Sequence, residues 1–262
     1  MVMSASVRIA VLGIGEAGSV ISRDLVAAGV DVRGYDPKDI EFPAAVAVRT
    51  SEADAVRDAE LVLSVNSSHD AMTALRNALP GLRPGTLWAD LNTASPGVKA
   101  ALVEAAPEGV SVVDVALMAV VPGNGMRTPM VVSGRGAQRY AEVFAELGVA
   151  VDVLPGPAGA AISRKLLRSV FWKGMAAAVV EALTAAEAAG VRDWLHGNIA
   201  AELAGFDERT VDQLFESTHA HARRRADEMA AAAEQLTELG VTPRVTAAAR
   251  DQFVALRDGQ QS

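Results

Sequence analysis

The chain has no cysteine among its 262 residues, and aromatic side chains make up only 4% against 50% hydrophobic residues in all. Without cysteine there is no disulfide scaffold, no thiolate zinc site and no cysteine nucleophile. With so few rings, the core must be filled by alanine, valine and leucine. Positive charge is short as well: 24 Lys+Arg against 32 Asp+Glu leave a formal net charge of −8. Coating nucleic acid or anionic lipid needs clustered Lys/Arg, so neither is an expected partner. Long apolar runs are also missing. The best candidate, residues 175–189, carries Glu181 and Glu187 and falls short of the ~20 apolar residues that a membrane span requires. The first ten residues lack the basic stretch and apolar core of a secretory signal. A soluble cytoplasmic protein is expected, built as one large domain or two modest ones. The four histidines form no metal site, since His219 and His221 stand two apart on a helix and point in different directions.

The first part of the chain alternates apolar runs with helical patterns. Residues 7–12, 30–35, 61–65, 86–89 and 110–115 read as buried strands, and 17–28, 52–58, 70–79 and 96–105 as helices between them. That rhythm predicts a parallel sheet covered by helices on both faces. Two further strands, 130–133 and 149–153, bracket a helix over 137–147. After Pro155-Gly156-Pro157 the character changes, and 161–189, 208–239 and 244–256 are helical. The fold class is therefore α/β, an N-terminal Rossmann domain over 1–155 followed by an all-helical domain over 156–262, joined by a long helix.

Gly13-Ile14-Gly15-Glu16-Ala17-Gly18 is a G-x-G-x-x-G between the first strand and the first helix. Its first glycine permits a tight turn, the second admits a pyrophosphate to the backbone, and the third lets helix and strand pack closely. Asp36 ends the next strand, where a carboxylate accepts hydrogen bonds from ribose hydroxyls. A 2′-phosphate would be repelled there, which favours NAD over NADP, although Arg33 and Lys38 are close enough in sequence to offset the repulsion. A purely structural glycine turn is the alternative.

Three more segments make the order of parts specific: Asp90-Leu91-Asn92-Thr93-Ala94-Ser95-Pro96, Asp114-Val115-Ala116-Leu117-Met118, and Gly156-x-x-Gly159 leading into a helix that bears Lys165. In this order the chain resembles the β-hydroxyacid dehydrogenase family, which includes 3-hydroxyisobutyrate and 6-phosphogluconate dehydrogenases. Lys165-Leu-Leu-Arg168-Ser169, Lys173-Gly174 and the basic segment 222–226 resemble its small phosphogluconate-dehydrogenase-like branch. The resemblance implies a dimer formed through the helical domain and hydride transfer at the carbinol carbon of a β-hydroxy acid, with Lys165 as acid/base.

Residue chemistry is compatible with this. Lys165, Arg168, Ser169 and Trp172 fall on one helix stripe. Arg168 would lower the proton affinity of Lys165 and fork onto a substrate carboxylate or phosphate, whereas a solvated basic face is the plainer reading. Two positions depart from the family: Arg168 stands where asparagine is usual, and Met118-Ala119-Val120 where a serine and two glycines are usual. The resemblance then implies a pocket more apolar on one side and more cationic on the other. Thr93 lies at the expected nicotinamide end, and Asn66 and Ser67 either line the cofactor cleft or serve turn chemistry. Arg223-Arg224-Arg225 reads as a solvated face or as a reach toward an anionic substrate across a dimer cleft. An imine reductase and a non-catalytic NAD(P)-binding regulator are the alternatives to a dehydrogenase with a small anionic substrate. The alanine excess, at 176–189 and 230–233, suits closely approaching helices within the domain and between subunits.

Overall fold

The computed structural model describes residues 7–259. The chain divides after Leu167 into two compact units.

The first unit contains, in chain order, β1 (Arg8–Leu12), α1 (Glu16–Ala27), β2 (Asp31–Tyr35), β3 (Ala47–Val48), α2 (Glu52–Val56), β4 (Leu61–Ser64), α3 (Ala71–Ala78), β5 (Leu87–Asp90), α4 (Pro96–Ala105), β6 (Ser111–Leu117), β7 (Met130–Ser133), α5 (Ala137–Glu146) and β8 (Asp152–Val153), and then the start of α6 (Ala160–Ala188). One eight-stranded sheet runs β3-β2-β1-β4-β5-β6-β7-β8. Every neighbouring pair is parallel except β6 with β7.

Double-sided burial explains why these strands read as unbroken apolar runs. Successive side chains face opposite sides of a strand. Ile9, Val11, Leu61, Leu63, Leu87, Ala89, Val113 and Val115 therefore join Ile21 and Leu25 of α1 and Tyr140 and Phe144 of α5 in one core. The intervening Ala10, Leu12, Val62, Trp88 and Val112 join Ala55, Val56, Leu75 and Leu102 from α2, α3 and α4 in the other.

The expected strand over 149–153 is shortened to Asp152–Val153. The Val149 amide closes the end of α5 instead, donating to the Phe144 carbonyl at 2.9 Å, and its side chain joins the core. The two-residue β3 carries too little pattern to be read from sequence.

The second unit comprises the rest of α6 with α7 (Arg192–Ala204), α8 (Thr210–Ala220), α9 (Ala222–Glu238) and α10 (Arg244–Gly259). The helix expected over 208–239 is two helices, because His221 leaves helical geometry at φ −122° and ψ 23°. The break lets Ala222, Ala226, Ala233 and Leu236 fall on one buried face of α9. Glu181 of α6 fixes the start of α10: its carboxylate accepts the Val245 and Thr246 amides at 2.8 Å each and the Thr246 hydroxyl at 2.7 Å. Among the described residues no helix is long and apolar enough to cross a membrane, and no group of three or more His, Asp or Glu is arranged to hold a metal ion.

The division after Leu167 lies inside α6 rather than at the proline–glycine punctuation ahead of it. Ala161 and Ile162 are fully buried, and the first turn of α6 is bonded to the strands of the first unit.

A Cβ on Gly18 would stand 1.9 Å from the Gly13 carbonyl oxygen, whereas one on Gly15 meets no atom within 4 Å. Gly18→Ala is expected to lower unfolding free energy by about 1–3 kcal/mol in urea titrations. Gly15→Ala is expected to cost about 1 kcal/mol or less. Equal losses would refute the close helix–strand approach.

Candidate active site

The glycine loop lies where the strand order reverses, with β2 on one side of β1 and β4 on the other. In open α/β sheets, ligands bind in the crevice outside the carboxyl ends of the strands at such a point. Gly13 has φ +94°, and a Cβ there would strike Asn66 Oδ1 and the Val65 carbonyl oxygen at 2.5 Å. Gly15 caps α1 without any side-chain hydrogen bond, and the space beside it is clear. The leading N–H groups of a helix have no intrahelical acceptor, and this end of the helix dipole is positive. Backbone, clear space and dipole together fit a pyrophosphate.

Asp36 ties this loop to the end of β2. Its Oδ2 accepts the Ile14 amide at 2.8 Å and its Oδ1 the Lys38 amide at 2.9 Å. An ionised carboxylate has about four acceptor positions, so lone pairs remain for ribose hydroxyls. The Arg33 guanidinium donates to the Arg57 carbonyl, so that side chain is engaged with the residue following α2. Asn66 lies against Gly13 and donates to Ser64 Oγ at 3.1 Å. Ser67 serves the turn before α3, donating to Asp70 Oδ2 at 2.6 Å and accepting the Asp70 amide at 3.2 Å.

Further along the same sheet edge, Lys165 Nζ donates to Thr93 Oγ1 at 3.0 Å. Burial pushes the Lys165 ammonium below its ordinary lysine value; the nearby Lys99 adds to the effect and Asp114 opposes it. A depressing cation that the sequence did not single out is therefore Lys99.

Lys99 is itself fully buried. Its ammonium donates to Asp90 Oδ2 at 2.6 Å, to the Asp90 carbonyl at 2.9 Å and to the Asn92 carbonyl at 2.9 Å, and stands 3.2 Å from Asp114 Oδ1. Asp114 Oδ2 accepts the amides of Gly159 at 3.0 Å and Ile162 at 2.9 Å, while Ser133 Oγ accepts that of Ala161 at 3.0 Å. The first turn of α6 is thus capped from β6 and β7. A carboxylate at a helix N-terminus is stabilised by the orphan N–H groups and the dipole.

Comparison with known proteins now decides the family. The model described as the NAD binding domain of 6-phosphogluconate dehydrogenase matches residues 8–151, more than half of the chain, and a domain of unknown function (DUF1932) matches 186–256. The chain belongs to the β-hydroxyacid dehydrogenase family. A conserved hypothetical protein from Sinorhizobium meliloti 1021 is 30% identical, with a TM-score of 0.61 over 96% of this chain and 89% of that one. A probable 3-hydroxyisobutyrate dehydrogenase from Mycobacterium tuberculosis is 36% identical over 92 residues, 33% of this chain and 31% of that protein. An imine reductase from Streptomyces aurantiacus shares the fold, with a TM-score of 0.74 at 17% identity over 96% and 95% of the two chains. This β-hydroxyacid dehydrogenase relative is accordingly an NAD(P)-binding oxidoreductase of the dehydrogenase and reductase class.

Of the residues singled out in the sequence, the structure brings Ile14 to Asp36, Asn66 to Gly13 and Thr93 to Lys165. Glu16 and Ala17 open α1. Met118, half-buried beyond the end of β6, donates its amide to the Pro129 carbonyl at 2.8 Å. Arg168 and Ser169 follow Lys165 on α6, and the Arg168 guanidinium carbon stands 5.9 Å from the centre of the Trp172 ring. Sequence reasoning missed Lys99 and gave Asp90, Asn92 and Asp114 no individual role. The available signal was two aspartates in otherwise apolar, doubly buried strands, which require a buried counter-charge.

Lys99→Met would leave two buried carboxylates without their cation. It is expected to destabilise the fold by about 3–5 kcal/mol in chemical denaturation. A loss under about 1 kcal/mol, typical of exposed ion pairs, would show that the cluster is not the buried unit described.

Proposed function

We propose that this chain is an NAD-dependent dehydrogenase or reductase acting on a small β-hydroxy or keto acid, with Lys165 as its acid/base. The contact between Lys165 and Thr93 carries the reading. It presents an amine with lowered proton affinity on the same sheet edge as the glycine loop. The residues of that loop fit a dinucleotide, and Asp36 favours a free ribose hydroxyl over a 2′-phosphate. A nicotinamide bound there would supply the hydride donor or acceptor.

The protein's part is to move the matching proton. In oxidation the neutral Lys165 amine accepts the hydroxyl proton as the carbinol hydrogen leaves; in reduction the ammonium returns it. Thr93 Oγ1, accepting from Nζ, turns the amine lone pair toward the substrate. Gly13, Ile14, Gly15, Glu16, Ala17 and Gly18 hold the phosphates, and Asn66 and Ser67 border the cleft. We assign Arg168 and Ser169 to the anionic group of the substrate and Met118 to its apolar side. Residues 1–155 serve the cofactor, and 156–262 serve the substrate and self-association.

A homodimer accounts for the rings exposed in the helical part, where Trp194 is 68% and Phe215 67% exposed. Light scattering at twice the chain mass is the expected result, and a monomer would remove this element.

Met118, placed where hydroxyacid relatives carry serine, favours a second reading as a C=N reductase. Screening oxo acids, hydroxy acids and cyclic imines separates the two. A protein that binds NADH and turns over none of them would be a nucleotide-responsive regulator.

Lys165→Ala is expected to retain NADH binding by fluorescence titration and to lose about 100-fold or more in kcat/KM. Because the neutral amine is the base, oxidation should rise with pH through a midpoint below the ordinary lysine value of about 10.4, while reduction falls over the same range. Undiminished turnover in Lys165→Ala would remove the assignment.

A further inference from the structure

Both halves of the Lys165–Thr93 contact hang on one buried ammonium. Thr93 directly follows Asn92, whose carbonyl accepts from Lys99 at 2.9 Å, as does the Asp90 carbonyl two residues earlier. Lys99 thereby fixes the turn that presents the Thr93 hydroxyl. On the other side, Asp114 faces Lys99 with Oδ1 at 3.2 Å and holds the Gly159 and Ile162 amides with Oδ2. Those amides belong to the turn from which α6 starts, and Lys165 stands one turn further along. A shift of Lys99 would therefore displace donor and acceptor of the 3.0 Å contact through two separate paths.

We propose that Lys99, with Asp90 and Asp114, is the positioning device of the active site, fixing the Lys165 amine against Thr93 and setting the charge that surrounds it. This rests on the reading of Lys165 as the acid/base and adds three fully buried residues that act through it.

Lys99 from α4 and Asp114 from β6 both bear on Lys165, with opposite effects on its proton affinity. Lys99 in turn meets Asp90 from β5 and Asp114 as well as Lys165. The cluster consequently has a signature that a merely structural role lacks. Removing the carboxylate of Asp114 and removing the cation of Lys99 should move the titration of Lys165 in opposite directions.

The chain has only four lysines, Lys38, Lys99, Lys165 and Lys173, so the ε-carbon of Lys165 can be followed by NMR in protein labelled with 13C-lysine. Its resonance is assigned through Lys165→Arg. Asp114→Asn retains an oxygen for the α6 amides and is expected to move the Lys165 midpoint down. Lys99→Met combined with Asp90→Asn removes a cation and its partner anion together and is expected to move it up. In both variants kcat should fall about tenfold or more from misplacement of the amine, with NADH affinity within about twofold of the parent, because the glycine loop is untouched.

Should the double variant not fold, Asp114→Asn and Ser133→Ala carry the test. The first removes a charge and the second only hydrogen bonds, so the midpoint should move in the first and stay in the second. Midpoints that stay in place in folded Asp114→Asn, or that move the same way in Asp114→Asn and the folded double variant, overturn the proposal. If no acid or imine is turned over by the parent protein, the acid/base reading fails by itself, and the titration still decides whether Lys99 and Asp114 set the charge around Lys165.

Discussion

One ammonium and two carboxylates, all without solvent exposure, set the constraint that the rest of the first unit obeys. Removing an isolated charge from water is so costly that such groups persist only when paired and hydrogen-bonded. Lys99 has three protons and uses them on Asp90 and Asn92. Fully ionised, the cluster still carries an excess negative charge. Burial pushes the Asp90 carboxyl above its ordinary value, against the pull of Lys99. Asp114 is matched differently, by the amides and positive dipole end of a 29-residue helix. Strand ends, the turn after β5 and the start of α6 must then occupy fixed relative places, because a slip in any of them strands a buried charge.

Much of the sheet was legible because double-sided burial writes long apolar runs and glycines punctuate them. Gly18 marked the helix–strand approach, and Asp36 could be placed because it ends a strand soon after a G-x-G-x-x-G. What escaped had no local pattern. The break at His221 lies between alanines and contains neither glycine nor proline. The burial of Lys99 depends on partners on two different strands, one nine residues before it and one fifteen after, and its own neighbours read as an ordinary helix start. The proximity of Thr93 to Lys165, 72 residues apart, follows from no spacing rule.

The scarcity of rings acquires a distribution. Trp88, Tyr140 and Phe144 are buried in the cores of the first unit, where large side chains fill the space between sheet and helices. In the second unit the buried positions of α9 are Ala222, Ala226, Ala233 and Leu236, while Phe171, Trp172, Trp194, Phe206 and Phe215 remain exposed. Small side chains bring helices together and leave the rings outward. That inversion is unfavourable for a helical unit in water and favourable for one that buries its rings against another surface. The alanine excess and the exposed rings are two sides of one design, and a homodimer is the occupant we propose.

A hydrogen-bonded path joins the two chemical ends of the site. Gly13 has no room for a side chain because Asn66 lies against it. Asn66 and Asn92 both donate to Ser64 Oγ, at 3.1 and 3.2 Å, and Asn92 donates in turn to Asp90 Oδ1. Asp90 holds Lys99, whose charge bears on Lys165. Ser64, buried at the end of β4, is therefore the point where the glycine loop and the lysine cluster meet. Through that serine the loop and the cluster keep fixed places relative to one another. The loop's own backbone groups at Gly13, Ile14 and Gly15 make no bond to Asp90, Lys99 or Asp114 among those described, so a bound pyrophosphate would meet the same surface whatever the charge of the cluster.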